Sequence, residues 1–185
     1  MSSIYHEKFT KRIVSESESN HWDNAVKEWD ISNSKEDRNA RSECICGKER
    51  IRYLFEITNL KNRNVLFPIG SSCIKKFKRK DLNEVIAIKE KLFILLHAVE
   101  DGKYIPLNSE YFSRKLLQYL FNEGAFRPNQ FNDHDGENDY IFMLDCFNQK
   151  LPLSPKQKSK VSAIILNQIK PYLESVLEGK IITSN

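Results

Sequence analysis

Four cysteines and four histidines are all that this chain of 185 residues offers a soft metal ion, and several other resources are missing altogether. No apolar run approaches the roughly 18–20 residues that a membrane-spanning helix needs. The longest, Leu92–Leu96 within "KEKLFILLHAVED", belongs to an amphipathic pattern. The opening stretch "MSSIYHEKFTKRIVSESESN" has no apolar core followed by a small-residue cleavage site, so no membrane attachment and a cytoplasmic protein are expected. There is no Gly-rich phosphate loop, no H-E-x-x-H and no G-x-S-x-G, nor the H-x-E with P-C-x-x-C that a zinc deaminase needs. Finger-type C-x₂₋₄-C…H-x₃₋₅-H spacing is absent, as are internal repeats and long low-complexity stretches. A non-enzyme is expected.

What is present suffices for a packed core: 40% of residues are hydrophobic, 11% aromatic and 29% charged. The net charge of +4 conceals an asymmetry. Residues 41–80 carry eleven Lys/Arg against Glu43, Glu49 and Glu56, a net +8, while the rest of the chain is −4. The same basic segment, quoted from residue 42 as "SECICGKERIRYLFEITNLKNRNVLFPIGSSCIKKFKRK", holds Cys44, Cys46 and Cys73.

The periodicities predict an α+β protein: a small α/β module over residues 1–80, followed by a helical bundle over 81–185. "SESESN" (15–20) reads as a linker ending in the cap Asn20, ahead of a short helix on which Trp22, Val26 and Trp29 share a face. Ile51, Tyr53, Phe55 and Ile57 alternate with polar residues, "NLKNRN" supplies a turn, and Val65, Phe67 and Ile69 resume the alternation, which predicts a β-hairpin. Asp81 and Glu84 have capping-box spacing before a long helix that should stop at Gly102. "SEYFSRKLLQYLFNEG" and "ENDYIFMLDCFNQ" read as the next two helices. "SPKQ" (154–157) opens a fourth, which Pro171 must kink or divide because it removes a backbone donor and crowds the preceding turn.

A structural zinc site takes four tetrahedral ligands, mainly thiolate and imidazole. Cys44-Ile45-Cys46-Gly47 has the form of a knuckle at the entry to the hairpin, and Cys73 follows its second strand, so a closed hairpin returns Cys73 to Cys46. The fourth ligand expected is His21 on the Trp-rich helix, with His6 the second choice. Zn²⁺ is the expected ion on ligand softness. The alternative left open is that the three cysteines are small core residues. Cys146, beside Leu144 and Phe147, reads as core.

Two charged clusters are candidates for partners. Lys75, Lys76, Lys78, Arg79 and Lys80 form a basic run beside Cys73 that suits phosphate contacts to nucleic acid. Asp133, Asp135, Glu137 and Asp139 lie in a stretch without Lys or Arg that suits a basic protein partner, or else a polar loop at a helix N-terminus. It lacks the ligand order of an EF-hand.

The combination of "HWDNAVKEWDI", "CICG", the hairpin and "PIGSSCIKKF", with the later "GAFRPNQFNDHD" and "FNQKLPLSPKQKSK", resembles a group of small metal-binding proteins carried by phages and other mobile elements of Gram-positive bacteria. Members of this sort include type II-A anti-CRISPR metalloproteins. The resemblance implies a non-catalytic inhibitor in the host cytoplasm that binds Cas9 or its guide-RNA complex and blocks target-DNA loading or cleavage. It also implies Cys44, Cys46 and Cys73 as metal ligands. The rival expectation is a zinc-stabilised nucleic-acid-binding accessory or regulatory protein using the Lys75–Lys80 run, and a metal-dependent enzyme is the third.

Overall fold

The structure, a computed structural model, describes residues 4–182, with side chains described as far as residue 176. The fold is α+β. In chain order it runs α1 (Ile4–Ser15), α2 (Trp22–Ala25), a 3₁₀ turn (Val26–Glu28), β1 (Trp29–Glu36), β2 (Tyr53–Asn59) and β3 (Val65–Gly70). There follow α3 (Ser71–Ile74), a second 3₁₀ turn (Lys75–Phe77), α4 (Lys80–Glu100), α5 (Arg114–Asn122), α6 (Gly136–Asn148), α7 (Pro155–Ile164) and α8 (Lys170–Ile182). No helix among the described residues is long and apolar enough to cross a membrane.

Two compact units divide at residues 90 and 91, Met1–Glu90 and Lys91–Asn185. The division falls inside α4, later than the change from strand to helix periodicity at residue 81. The reason is packing: Leu82 and Ile86, on the first turns of α4, are buried in the core of the first unit.

That first core is built on an antiparallel sheet of order β1-β2-β3. Phe55, Ile57 and Ile69 from the sheet, Phe9 and Ile13 from α1, and Trp29 are all fully buried in it. The hairpin forms where its alternation predicted, but β3 faces the other way in part. Phe55 pairs with Ile69 and Ile57 with Leu66, so three steps on β3 oppose two on β2. This bulge, at the cis Phe67-Pro68 bond, turns Leu66 and Ile69 inward and leaves Val65 and Phe67 54% and 41% exposed.

β1 is the strand that the sequence pattern did not announce. "WDISNSKE" is polar and poor in strand formers, and a bulge between Ile31 and Asn33 breaks its alternation. It forms because β2 offers a full edge, with pairs from Trp29–Asn59 to Glu36–Tyr53. Trp29 therefore starts a strand and does not share a helical face with Trp22, and its indole Nε1 donates to Ser17 Oγ at 2.8 Å. The N-cap of α2 is His21, not Asn20, and it makes no side-chain cap.

In the second unit α7 opens as the sequence dictates: Ser154 caps it, Pro155 occupies the first turn and Gln157 completes the capping box. Pro171 has no N–H to give and crowds the carbonyl four residues back. The chain meets this with a π turn over Ile165–Ile169, where the Lys170 N–H donates to Ile165 O, before continuing as α8. α5 starts at Arg114, later than its apolar pattern, because the Ser113 hydroxyl accepts from the Leu116 N–H and ends the preceding turn. α4 starts one residue before Asp81, so the Asp81–Glu84 pair is inside the helix. Asp81 pairs with Arg79 Nη2 at 2.5 Å in place of a capping box.

Candidate metal centre

Cys44 and Cys46 enter from the loop before β2, and Cys73 from α3, the single turn that β3 runs into. Their sulfurs all lie within 4.8 Å of one another: Cys44 to Cys73 is 3.7 Å and Cys73 to Cys46 is 3.5 Å. All three side chains are buried and none forms a disulfide. The three cysteines are close enough to hold a metal ion.

The backbone explains the convergence. The Gly47 N–H donates to Cys44 O at 2.7 Å and the Cys44 N–H to Lys48 O at 2.9 Å, which folds the knuckle back on itself. Gly47 sits at φ +89°, a conformation that a side chain disfavours. The Ile45 N–H donates to Pro68 O at 3.0 Å, and the Gly70 N–H to Cys44 Sγ at 3.4 Å. The knuckle is thus stitched to β3, and β3 delivers Cys73.

Cys44 and Cys73 are shifted in opposite directions. The hydrogen bond from Cys73, aided by the N–H groups of Cys46 and Gly70, holds Cys44 down to about 5 against the opposing effect of burial. The Cys73 thiol is pushed up, first by its hydrogen bond to Cys44 and then by burial. Lys76 lies beside the cluster, with Nζ 3.9 Å from Cys73 Sγ and 5.7 Å from the centroid of the Phe9 ring. Its ammonium would offset part of the negative charge of thiolates holding a metal ion.

His21 does not join this group. Among the described residues the cluster consists of the three cysteines alone, and His21 is exposed at the start of α2. His6 is likewise outside it, edge-on to the Trp22 ring at 6.3 Å. The Trp-rich helix expected to carry the fourth ligand is a single α turn followed by a 3₁₀ turn before the chain extends into β1. Cys146 is buried in α6, apart from the cluster, and burial pushes its thiol up.

The basic run divides in the structure. Lys75, Lys78 and Lys80 are exposed. Lys76 turns to Cys73 Sγ, and Arg79 donates through Nη1 to the carbonyls of Val26 and Trp29, so these two are internal braces. The acidic stretch divides too. Asp133, Asp135 and Glu137 are exposed, and Asp135 caps α6 by accepting from the Glu137 N–H at 2.9 Å. Asp139 is not part of that surface: it is 2% exposed and accepts from Asn132 Nδ2 and Gln168 Nε2. It lies on the inward side of α6, where its carboxylate meets the side chains from the neighbouring turns.

No protein-family profile, no curated protein and no solved structure matches the chain.

Proposed function

We propose that this chain is a non-catalytic binding protein whose first unit is stapled by zinc, acting as an anti-CRISPR-type inhibitor of Cas9. The observation that carries the non-catalytic reading is burial: Cys44, Cys46 and Cys73 are 2%, 0% and 2% exposed. Buried thiolates suit an ion that serves the fold and leaves function to the surface. The sulfur spacing supports zinc. Metal–sulfur bonds of about 2.3 Å in a tetrahedron give sulfur–sulfur edges of about 3.8 Å, near the 3.5 and 3.7 Å seen here.

The choice of Cas9 or its guide-RNA complex as partner rests on the resemblance of the sequence motifs. Guide-loaded Cas9 presents a positively charged channel to its target duplex, and the exposed carboxylates Asp133, Asp135 and Glu137 are groups of the opposite sign. The test is to add the purified protein to guide-loaded Cas9 before or after target DNA, and to follow DNA binding and cleavage. Inhibition only when the protein is added first, abolished by charge reversal at those three positions, is the expected result. Undiminished cleavage at saturating protein overturns the reading.

The second reading is nucleic-acid binding through Lys75, Lys78 and Lys80, favoured by their exposure beside the stapled site. It requires affinity that falls steeply with salt and weakens when these lysines are neutralised.

A further inference from the structure

The second unit contains a cleft of about 690 Å³. Its floor is made by Asp139, Gln168 and Ile164, and its rim includes Arg127, Phe131 and Asn167. We propose that this cleft binds a nucleotide, stacking the base on Phe131 and holding the phosphate with Arg127 and Lys160.

Four observations carry the proposal. Phe131 is 79% exposed, although its loop is tightly specified: the Phe131 N–H donates to Asn129 Oδ1 at 2.8 Å, and the Asn129 N–H to the buried Asn132 Oδ1 at 2.7 Å. An exposed ring on a fixed loop is a stacking platform prepared in advance. Beneath it, Asp139 is buried yet its Oδ1 receives no hydrogen bond. Lys160 pairs with that oxygen, its Nζ 3.4 Å away.

Lys160 is in turn held 4.6 Å from the centroid of the Phe142 ring, so its ammonium is aimed by two groups while remaining partly exposed to the cleft. With Arg127, Lys160 and Asp139 lining one space, the site is net positive and takes an anion. Aromatic face and paired cations together match base plus phosphate more closely than either part alone. Finally, Asn167 and Gln168 lie on the π turn Ile165–Ile169. That turn places Gln168 so that its Oε1 accepts from the Arg127 N–H at 2.9 Å while its Nε2 donates to Asp139. Local π geometry is often retained where a helix must present side chains to a ligand.

The nucleotide can be free or part of a single strand, and the experiment separates the two. Adenosine and uridine monophosphates are titrated by calorimetry, and a fluorescently labelled RNA of about eight nucleotides by anisotropy, with wild type, Arg127→Gln and Phe131→Ala. Both altered side chains are exposed, and melting curves verify that the fold persists. Saturable binding of a monophosphate, weakened at least ~10-fold in both variants, supports a free nucleotide. The same loss seen only with the RNA supports a strand. Affinities equal to wild type in both variants, or no saturable binding of either probe, overturn the proposal. RNA binding lost only on neutralising Lys75, Lys78 and Lys80 also overturns it, by assigning the strand to the first unit.

Discussion

The Gly70 N–H donates to the Cys44 sulfur at 3.4 Å, joining the last residue of β3 to the first cysteine of the knuckle. The sulfur cluster and the strand pairing are therefore parts of one arrangement. Cys44→Ser and Cys73→Ser are expected to purify with little metal and with a first unit that unfolds early, because a structural site contributes its binding energy to folding. Cys146→Ser keeps the metal. Elemental mass spectrometry on the three variants checks this, and equal metal content in all of them would contradict it.

His21 provides the complementary control. It is exposed and outside the sulfur cluster, so His21→Ala is expected to retain the wild-type metal content and to melt within about 0.5 kcal/mol of wild type, as surface changes usually do. A drop in bound metal would bring His21 back as a ligand.

Glu28 is a buried carboxylate that the sequence did not mark. It accepts from the N–H groups of Glu18 and Ser19, from Asn59 Nδ2 and from Lys61 Nζ. Burial pushes its pKa up, but those four donors together outweigh it and hold the group below the usual carboxylate range. A depressed carboxylate stabilises the fold fully above its unfolded value of about 4.3 and loses that contribution as pH falls through the lower folded value. Denaturant titrations of wild type and Glu28→Gln from pH 7 to pH 3 are expected to differ by about 2–3 kcal/mol at neutral pH, converging in acid. A constant difference would deny the linkage.

Gly136 opens α6 where no side chain fits. A Cβ there would lie 2.1 Å from the Phe126 carbonyl oxygen. Alanine normally gains about 1 kcal/mol over glycine in a helix. Here Gly136→Ala is expected to destabilise the protein by about 1–3 kcal/mol through overpacking against a rigid backbone. A thermal melt with an unchanged or raised midpoint would show that the Phe126 loop can yield.

Much of this fold was legible because strong local signals agreed with the tertiary outcome. The hairpin itself, the alternation of β2, the Ser154–Gln157 cap, the stop before Gly102 and the effect of Pro171 all appear in the structure. What escaped depends on partners distant in sequence. β1 is specified by the edge of β2 and not by its own residues. The inward turn of Leu66 depends on a bulge that no periodicity displays. At the candidate metal centre the three cysteines could be read from spacing, whereas Lys76 could not be separated from its neighbours in "KKFKRK" before the helical turn showed which lysine faces sulfur. Asp139 looked like one more member of an acidic loop, and only its place on the buried side of α6 gives it a different role.

Cys46 and Cys73 are 27 positions apart, with both hairpin strands between them. An ion shared by these sulfurs is a reversible cross-link, closing a loop whose entropic equivalent in a covalent bridge is about 3.5 kcal/mol. Unlike a disulfide, such a clasp opens by chelation and needs no oxidant. With such an ion bound, the stability of the first unit would follow the free metal concentration around it, an effect centred on the unit that ends at Glu90.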